Sequence, residues 1–176
     1  MLFKNIETER LLLRNIDIED RDFIFSMFSD DTVNRYLFDA DPLTKIKEAD
    51  EIIEFYMKPE PRLQHRWIII RKSDGVKMGT CGFHFWQKDS NKVEISCDLK
   101  EEFETNGYMQ EAFKEIISFA KTDMLIKEIT ASIYVANERA IKLIESLGFV
   151  LSDSRYEVFR KNKYLHKIYS LNLEVS

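Results

Sequence analysis

Cysteine is scarce in this chain. Its two residues, Cys81 and Cys97, sit in apolar runs with neither CxxC spacing nor Cys/His ligand spacing, which excludes a disulfide scaffold and a zinc module. Five glycines and three prolines are too few for a collagenous or low-complexity chain. The longest apolar run is Trp67 to Ile70, far short of the roughly 20 residues of a membrane helix. Excess positive charge is also missing: 26 Lys and Arg stand against 31 Asp and Glu, a net charge of −5, so no overall field draws the chain to nucleic acid or anionic lipid. The opening MLFKNIETER has no apolar signal core, and a cytoplasmic chain with reduced thiols is expected.

What is present is ordinary globular composition, 44% hydrophobic and 32% charged over 176 residues. A chain of that length can bury about 70% of its extended surface. No repeat, Ser/Gly linker or long charge block interrupts it, so the expected organisation is one domain, 1–176.

Arg10 to Ile16 has strand length, and Asp17 is a good N-cap for a helix carrying Phe23, Ile24, Met27 and Phe28. A second helix is expected after Thr44, with Ile46, Ala49, Ile52, Ile53 and Tyr56 on one stripe, ending before Pro59. Arg66–Arg71, Lys77–Gln87 and Lys92–Leu99 are β-rich runs separated by turn residues, an antiparallel meander. From Gly107 the period changes to helical, with Met109, Ala112, Phe113, Ile116, Ile117 and Ala120 recurring at three and four. Glu128–Val135 is strand, Glu138–Ser146 a helix stopped by Gly148, and the tail two strands around Lys161 and Asn162. The expected order is βααβββαβαββ in an α/β sandwich.

Two junctions carry chemistry. Between Val93 and Ala112 a strand passes through a polar turn into a helix with Gly107 near its start. Such a turn aims free N–H groups outward, and the helix adds about half a positive charge, an arrangement suited to a pyrophosphate. The second junction, Asn137 to Phe149, follows a strand directly, and Asn137 has good N-cap chemistry of its own.

With these pieces in view, the sequence resembles the GNAT superfamily of N-acetyltransferases, and within it the ribosomal-protein N-acetyltransferases of RimJ/RimL type. The matching pieces are Thr8 to Arg14, Gly79 to Phe83, Val93 to Ile95, Asn106 to Ala112, and Asn137 through Phe149, in one order along nearly the whole chain. The resemblance implies a mixed, mostly antiparallel central sheet flanked by helices, with acetyl-CoA as cosubstrate and an opening between the fourth and fifth strands of that order. Cys97, Asp98 and Leu99 would present the strand edge to the pantetheine arm. The family's pyrophosphate loop falls on Glu104, Thr105, Asn106, Gly107, Tyr108 and Met109, with Glu104 in place of an amide or basic residue and Met109 in place of a small one. Asn137 would hold the pantetheine or the sulfur.

Acyl transfer from a thioester to an amine requires a base, a donor for the developing oxyanion and a proton for the departing thiolate. Glu94 is the expected base, where RimL-like enzymes carry a comparable glutamate, and a backbone N–H near Leu99 is the expected oxyanion donor. The family's usual hydroxyl donor is replaced by Ala140 or Ile144; Tyr108, Tyr134, Tyr156 and Ser96 are substitutes in principle. His84 is the next base in line, while His65 and His166 have no partner by spacing. No metal is expected. The acceptor, a protein N-terminus, a polyamine or another small amine, would meet the segments 34–42 and 156–163. A homodimer is compatible with this reading. Two other classes fit the composition: an acyl-CoA-binding or regulatory protein of the same fold with little turnover, and an interaction module dimerising through exposed aromatics such as Trp86.

Overall fold

A computed structural model describes residues 2–173; Met1 and residues 174–176 of the expected domain lie outside the described residues. The strands are β1 (Ile6–Glu7), β2 (Leu11–Asn15), β3 (His65–Arg71), β4 (Lys77–Gln87), β5 (Lys92–Leu99), β6 (Glu128–Tyr134), β7 (Val150–Phe159) and β8 (Asn162–Asn172). The helices are α1 (Arg21–Phe28), α2 (Asp31–Asn34), α3 (Ile46–Met57), α4 (Tyr108–Thr122) and α5 (Glu138–Ser146). One sheet runs β1-β2-β3-β4-β5-β6-β8-β7. Every pairing is antiparallel except β5 with β6.

Alternation divides the sheet into two faces. Leu11, Leu13, Trp67, Ile69, Cys81, Phe83, Val93 and Ile95 join Ala112, Phe113, Ile116 and Ile144 from α4 and α5 in the larger core. On the opposite face Ile68 packs with Ile24, Ala49, Ile53 and Tyr56 of α1 and α3. The helical stripes read from the sequence therefore point at opposite sides of one sheet, and the polar residues of β5 fall on the α1/α3 side.

Two elements depart from the expected order. Strand β1 is only two residues long, paired through Ile6 with Leu13 and Glu7 with Leu12, too short to show alternation. Helix α2 is a single turn whose N-cap Asp30 accepts from the N–H groups of Thr32 and Val33; it lies between the two helices read from the sequence. Asp17 caps a 3-10 turn, Ile18–Asp20, leading into α1, with Asp20 closing a capping box. Trp86 is not an exposed aromatic: it is half-buried, edge-on to Phe3 at 6.5 Å, and the exposed neighbour is Phe85. No helix among the described residues is long and apolar enough to cross a membrane.

Candidate functional site

The parallel pair β5 and β6 holds register only at Lys92–Glu128, Val93–Ile129 and Glu94–Thr130. Beyond those rungs Ile95–Leu99 pairs with β4 alone and Ala131–Tyr134 with β8 alone. The two strands part, leaving one edge of each without a ladder partner. A cleft of about 1,680 Å³ passes through this gap, from the Gly107 loop at one end to the β7–β8 hairpin at the other. Glu94, Cys97, Asp98, Leu99, Glu104, Thr105, Gly107, Tyr108, Met109 and Asn137 line it, whereas Asn106 does not.

The loop end is built around two left-handed residues. Gly107, the N-cap of α4, has φ +76°, and Thr105 has φ +68°. Glycine adopts that conformation freely, while a Cβ costs about 1–2 kcal/mol there and a β-branched residue such as Thr105 is a genuine outlier. Among the described residues, the N–H groups of Asn106 through Gln110 find no acceptor, so the positive end of the 15-residue α4 opens toward the cleft.

That loop is held from the far edge of the sheet. Glu111 accepts from the Arg10 N–H at 2.8 Å, from Arg10 Nε at 2.6 Å and from the Thr8 hydroxyl. Arg10 also donates to the Asn106 carbonyl at 3.1 Å and lies over the Tyr108 ring at 4.6 Å. Asn106 turns its amide inward, donating to the carbonyls of Phe103 and Glu104. Glu104, which replaces the family's amide or basic residue, forms an ion pair with Arg139 of α5 that compensates its charge.

Asn137 caps α5: its side-chain oxygen accepts from the Ala140 N–H at 3.2 Å. Its Nδ2 group is left to the cleft. Ala140 and the buried Ile144 line the same wall. Of the substitute hydroxyls, Tyr108, Tyr134 and Ser96 line the cleft, and Tyr156 lies exposed on the outer strand. Cys81 and Cys97 face each other across β4 and β5; burial pushes the Cys81 thiol up to about 12 and raises Cys97 as well, which leaves both protonated and unreactive.

Asp98 shows how alternation sorts neighbours. Cys97 and Leu99 pack toward the larger core, while the Asp98 carboxylate turns to the other face and binds Arg66 at 2.7 Å and the Thr80 hydroxyl at 3.3 Å. Both charged groups are nearly fully buried. Arg66 also donates to His84 Nε2 at 3.2 Å, and the Tyr56 hydroxyl lies 3.3 Å from the same nitrogen. Burial and the nearby guanidinium lower the His84 pKa to about 3. Its imidazole is neutral and a weak base at neutral pH.

Glu94 stands directly opposite His84 in the β4–β5 ladder. Burial raises its pKa, Arg155 lowers it and Glu157 raises it further. Glu157 accepts from the Ser132 hydroxyl at 3.0 Å and from Arg155 at 3.1 Å. His166 lies across from Arg155 in the β7–β8 ladder, its Nε2 3.6 Å from Glu157 and its Nδ1 3.0 Å from the Tyr164 carbonyl. His166 therefore has a partner that chain spacing concealed, because the partner comes from the adjacent strand. The two segments expected at the acceptor end do meet: Phe38 lies edge-on to Phe159 at 6.4 Å, and Arg160 pairs with Asp41; just past the second segment, Tyr164 stacks on Phe38 at 3.8 Å.

Comparison with known proteins decides the family. A profile of the acetyltransferase (GNAT) domain matches residues 10–150. The chain belongs to the GNAT acetyltransferases. Within that family it is 30% identical over 148 residues to the uncharacterized N-acetyltransferase p20 of Bacillus licheniformis, covering 83% of this chain and 82% of that protein. The structure of RimL, a ribosomal L7/L12 α-N-protein acetyltransferase in complex with coenzyme A, superposes with a TM-score of 0.89 at 14% identity, covering 98% of this chain and all of that one. Spermidine N-acetyltransferase from Vibrio cholerae, solved with CoA and spermine, gives 0.82 at 18% identity over 94% and 96% of the two chains. At these identities the likeness to both structures is one of fold.

Sequence reasoning did not assign Arg10, Glu111 and Arg139, which shape the loop end of this GNAT cleft, or the Arg66–Asp98 pair beneath it. The signal for Arg10 was present in the Thr8–Glu9–Arg10 piece of the resemblance, but its partner lies 101 residues away.

Proposed function

We propose that the chain transfers an acetyl group from acetyl-CoA to a primary amine by direct attack of the amine on the thioester, within one domain. The observation that carries this is the parting of β5 and β6 after Glu94 and Thr130. It leaves a strand edge for the pantetheine arm, with unpaired N–H groups at the Gly107 loop for the pyrophosphate and a half-buried carboxylate at the other end.

In this reading the backbone of Cys97, Asp98 and Leu99 pairs with the pantetheine, and the Leu99 N–H polarises the thioester oxygen. Thr105 through Met109 hold the diphosphate through backbone donors, while Glu104 acts through its pair with Arg139. The Asn137 amide meets the pantetheine near the sulfur. Glu94 takes the amine proton, directly or through a water; its raised pKa brings it nearer to the value a base needs at neutral pH. With the Arg66–Asp98 pair cancelling, Asp39, Asp41, Glu48, Glu51, Glu94 and Glu157 still outnumber Arg35, Arg155 and the Arg160 that pairs with Asp41 at the acceptor end, which favours a cationic amine such as a protein N-terminus or a polyamine, in line with the RimL-like branch.

A second reading has one observation in its favour. Ala140 and Ile144 put no hydroxyl on the wall where the leaving thiolate would gain its proton, which suits a protein that binds acyl-CoA with little turnover. Release of CoA from acetyl-CoA, followed with peptides, polyamines and small amines in turn, separates the two. The enzyme releases CoA above spontaneous hydrolysis with at least one amine and yields an acetylated product; the binder does neither.

A further inference from the structure

The sheet ends in β7, a long strand that little else covers. Val150, Leu151, Tyr156 and Val158 are all more than half exposed. Its inner side is spent on β8 through a two-residue turn, Arg160–Lys161, with φ +48° and +65°, and Phe159 opposite Asn162. A turn of that kind makes Phe159 and Asn162 a hydrogen-bonded pair. Counting back along the ladder, Glu157, Arg155 and Asp153 direct their N–H and C=O groups at β8, and Val158, Tyr156 and Ser154 direct theirs outward. The Ser154 N–H agrees with this, taking the adjacent Asp153 carboxylate at 2.7 Å instead of a strand neighbour. An outward edge of this length is a template for another strand.

We infer that β7 pairs antiparallel with β7 of a second copy of this chain about a two-fold axis at Tyr156, extending the sheet across the dimer. Charge and regularity select that register. The ladder shift between Leu151 and Asp153 confines the regular edge to Asp153–Phe159. A two-fold axis perpendicular to the sheet sets residues of one face opposite each other. Centred on Arg155, it opposes Arg155 to itself and Asp153 to Glu157; centred on Glu157, it opposes Glu157 to itself. Like charges directly opposite destabilise a pair. Centred on Ser154, it matches Asp153 with Arg155 but runs into the irregular rung two residues from the axis.

Centred on Tyr156, the whole regular stretch is used. Arg155 faces Glu157 on both sides of the axis, and Tyr156 faces Tyr156. Ser154 faces Val158, and these outward-directed residues form hydrogen-bonded pairs that exchange two backbone bonds each. Arg155 and Glu157 also line the cleft beside Glu94. Each copy thereby sets an opposite charge against the acceptor end of its partner's cleft.

Sedimentation of the full chain tests this directly. The wild type sediments as a dimer, and Tyr156→Pro, which removes an outward N–H while sparing the β8 ladder, sediments as a monomer with an unchanged circular dichroism spectrum. Arg155→Glu abolishes the dimer, and the exchanged pair Arg155→Glu with Glu157→Arg restores it. Tyr156→Cys, oxidised with copper phenanthroline, gives a covalent dimer, because residues in a hydrogen-bonded pair lie about 5.5 Å apart, within disulfide reach. Wild type, which keeps Cys81 and Cys97, gives none under the same oxidant. A monomeric wild type at all soluble concentrations overturns the inference, as does a dimer that persists in Tyr156→Pro or one cross-linked through Ser154→Cys in place of Tyr156→Cys.

Discussion

Arg139, in the first turn of α5, forms an ion pair with Glu104, which enters the loop at the head of α4. The pair joins the two helices that flank the widening gap between β5 and β6. An acidic residue beside a diphosphate site is unfavourable alone; here its charge is compensated from across the cleft.

Glu104→Gln frees Arg139 to face phosphate and tightens acetyl-CoA binding, whereas Arg139→Gln strands the carboxylate and weakens it. Exposed pairs of this kind contribute about 0.2–1 kcal/mol, so isothermal titration at low salt shows changes of about two- to five-fold in opposite directions. Both shrink at high ionic strength. Equal effects of the same sign in both variants exclude this electrostatic account.

Gly107→Val carries a double cost. Its left-handed φ charges a β-branched residue about 1–2 kcal/mol or more, and the side chain enters the space where phosphate oxygens approach the N–H groups. The variant binds acetyl-CoA at least about ten-fold more weakly, equivalent to roughly 1.4 kcal/mol. A folded variant with wild-type affinity relocates the diphosphate site.

Glu94→Gln separates activity from stability. As a base, Glu94 contributes about 10²-fold to kcat/KM, and its loss leaves acetyl-CoA affinity nearly unchanged. Because burial raises its folded-state pKa, its contribution to stability is present at low pH and lost as pH rises through that raised value. Glu94→Gln is therefore slower yet no less stable than wild type at neutral pH, with the difference in Tm favouring the variant more as pH rises. Full activity at neutral pH removes Glu94 from the mechanism.

His84 works in the opposite sense. Its pKa is lowered from 6.5 to about 3 by burial and Arg66, so the unfolded chain takes up the proton first as pH falls. The stability this residue contributes is complete above pH 6.5 and is lost progressively toward pH 3, at up to about 1.4 kcal/mol per pH unit for one proton. Urea midpoints measured across that window fall less steeply in His84→Gln. Identical slopes in the two proteins indicate that His84 is protonated in the folded state.

Much of this architecture is legible in the sequence because burial writes a period into it. The α4 stripe from Met109 to Ala120 and the meander from Arg66 to Leu99 stand where periodicity puts them. Strand β1 and helix α2 escaped because two strand residues and one helical turn are too short for either period. The loop at Gly107 and the position of Glu94 were also legible, through the strand-to-turn-to-helix junction and the alternation of β5. The charges around them were not. Arg139 meets Glu104 across 35 residues, and His166 meets Glu157 across a ladder, and neither pairing follows any local period.

The clamp of Arg10 and Thr8 on Glu111 also bears on how the protein matures. These partners are more than one hundred residues apart, and a contact of that separation carries a loop-closure entropy that local contacts do not. During synthesis the first strands leave the ribosome long before α4 exists. The left-handed turn at Thr105 and Gly107 has this brace only once α4 lies against the strand that follows Arg10, which ties the shape of the cleft's loop end to a contact between distant parts of the chain.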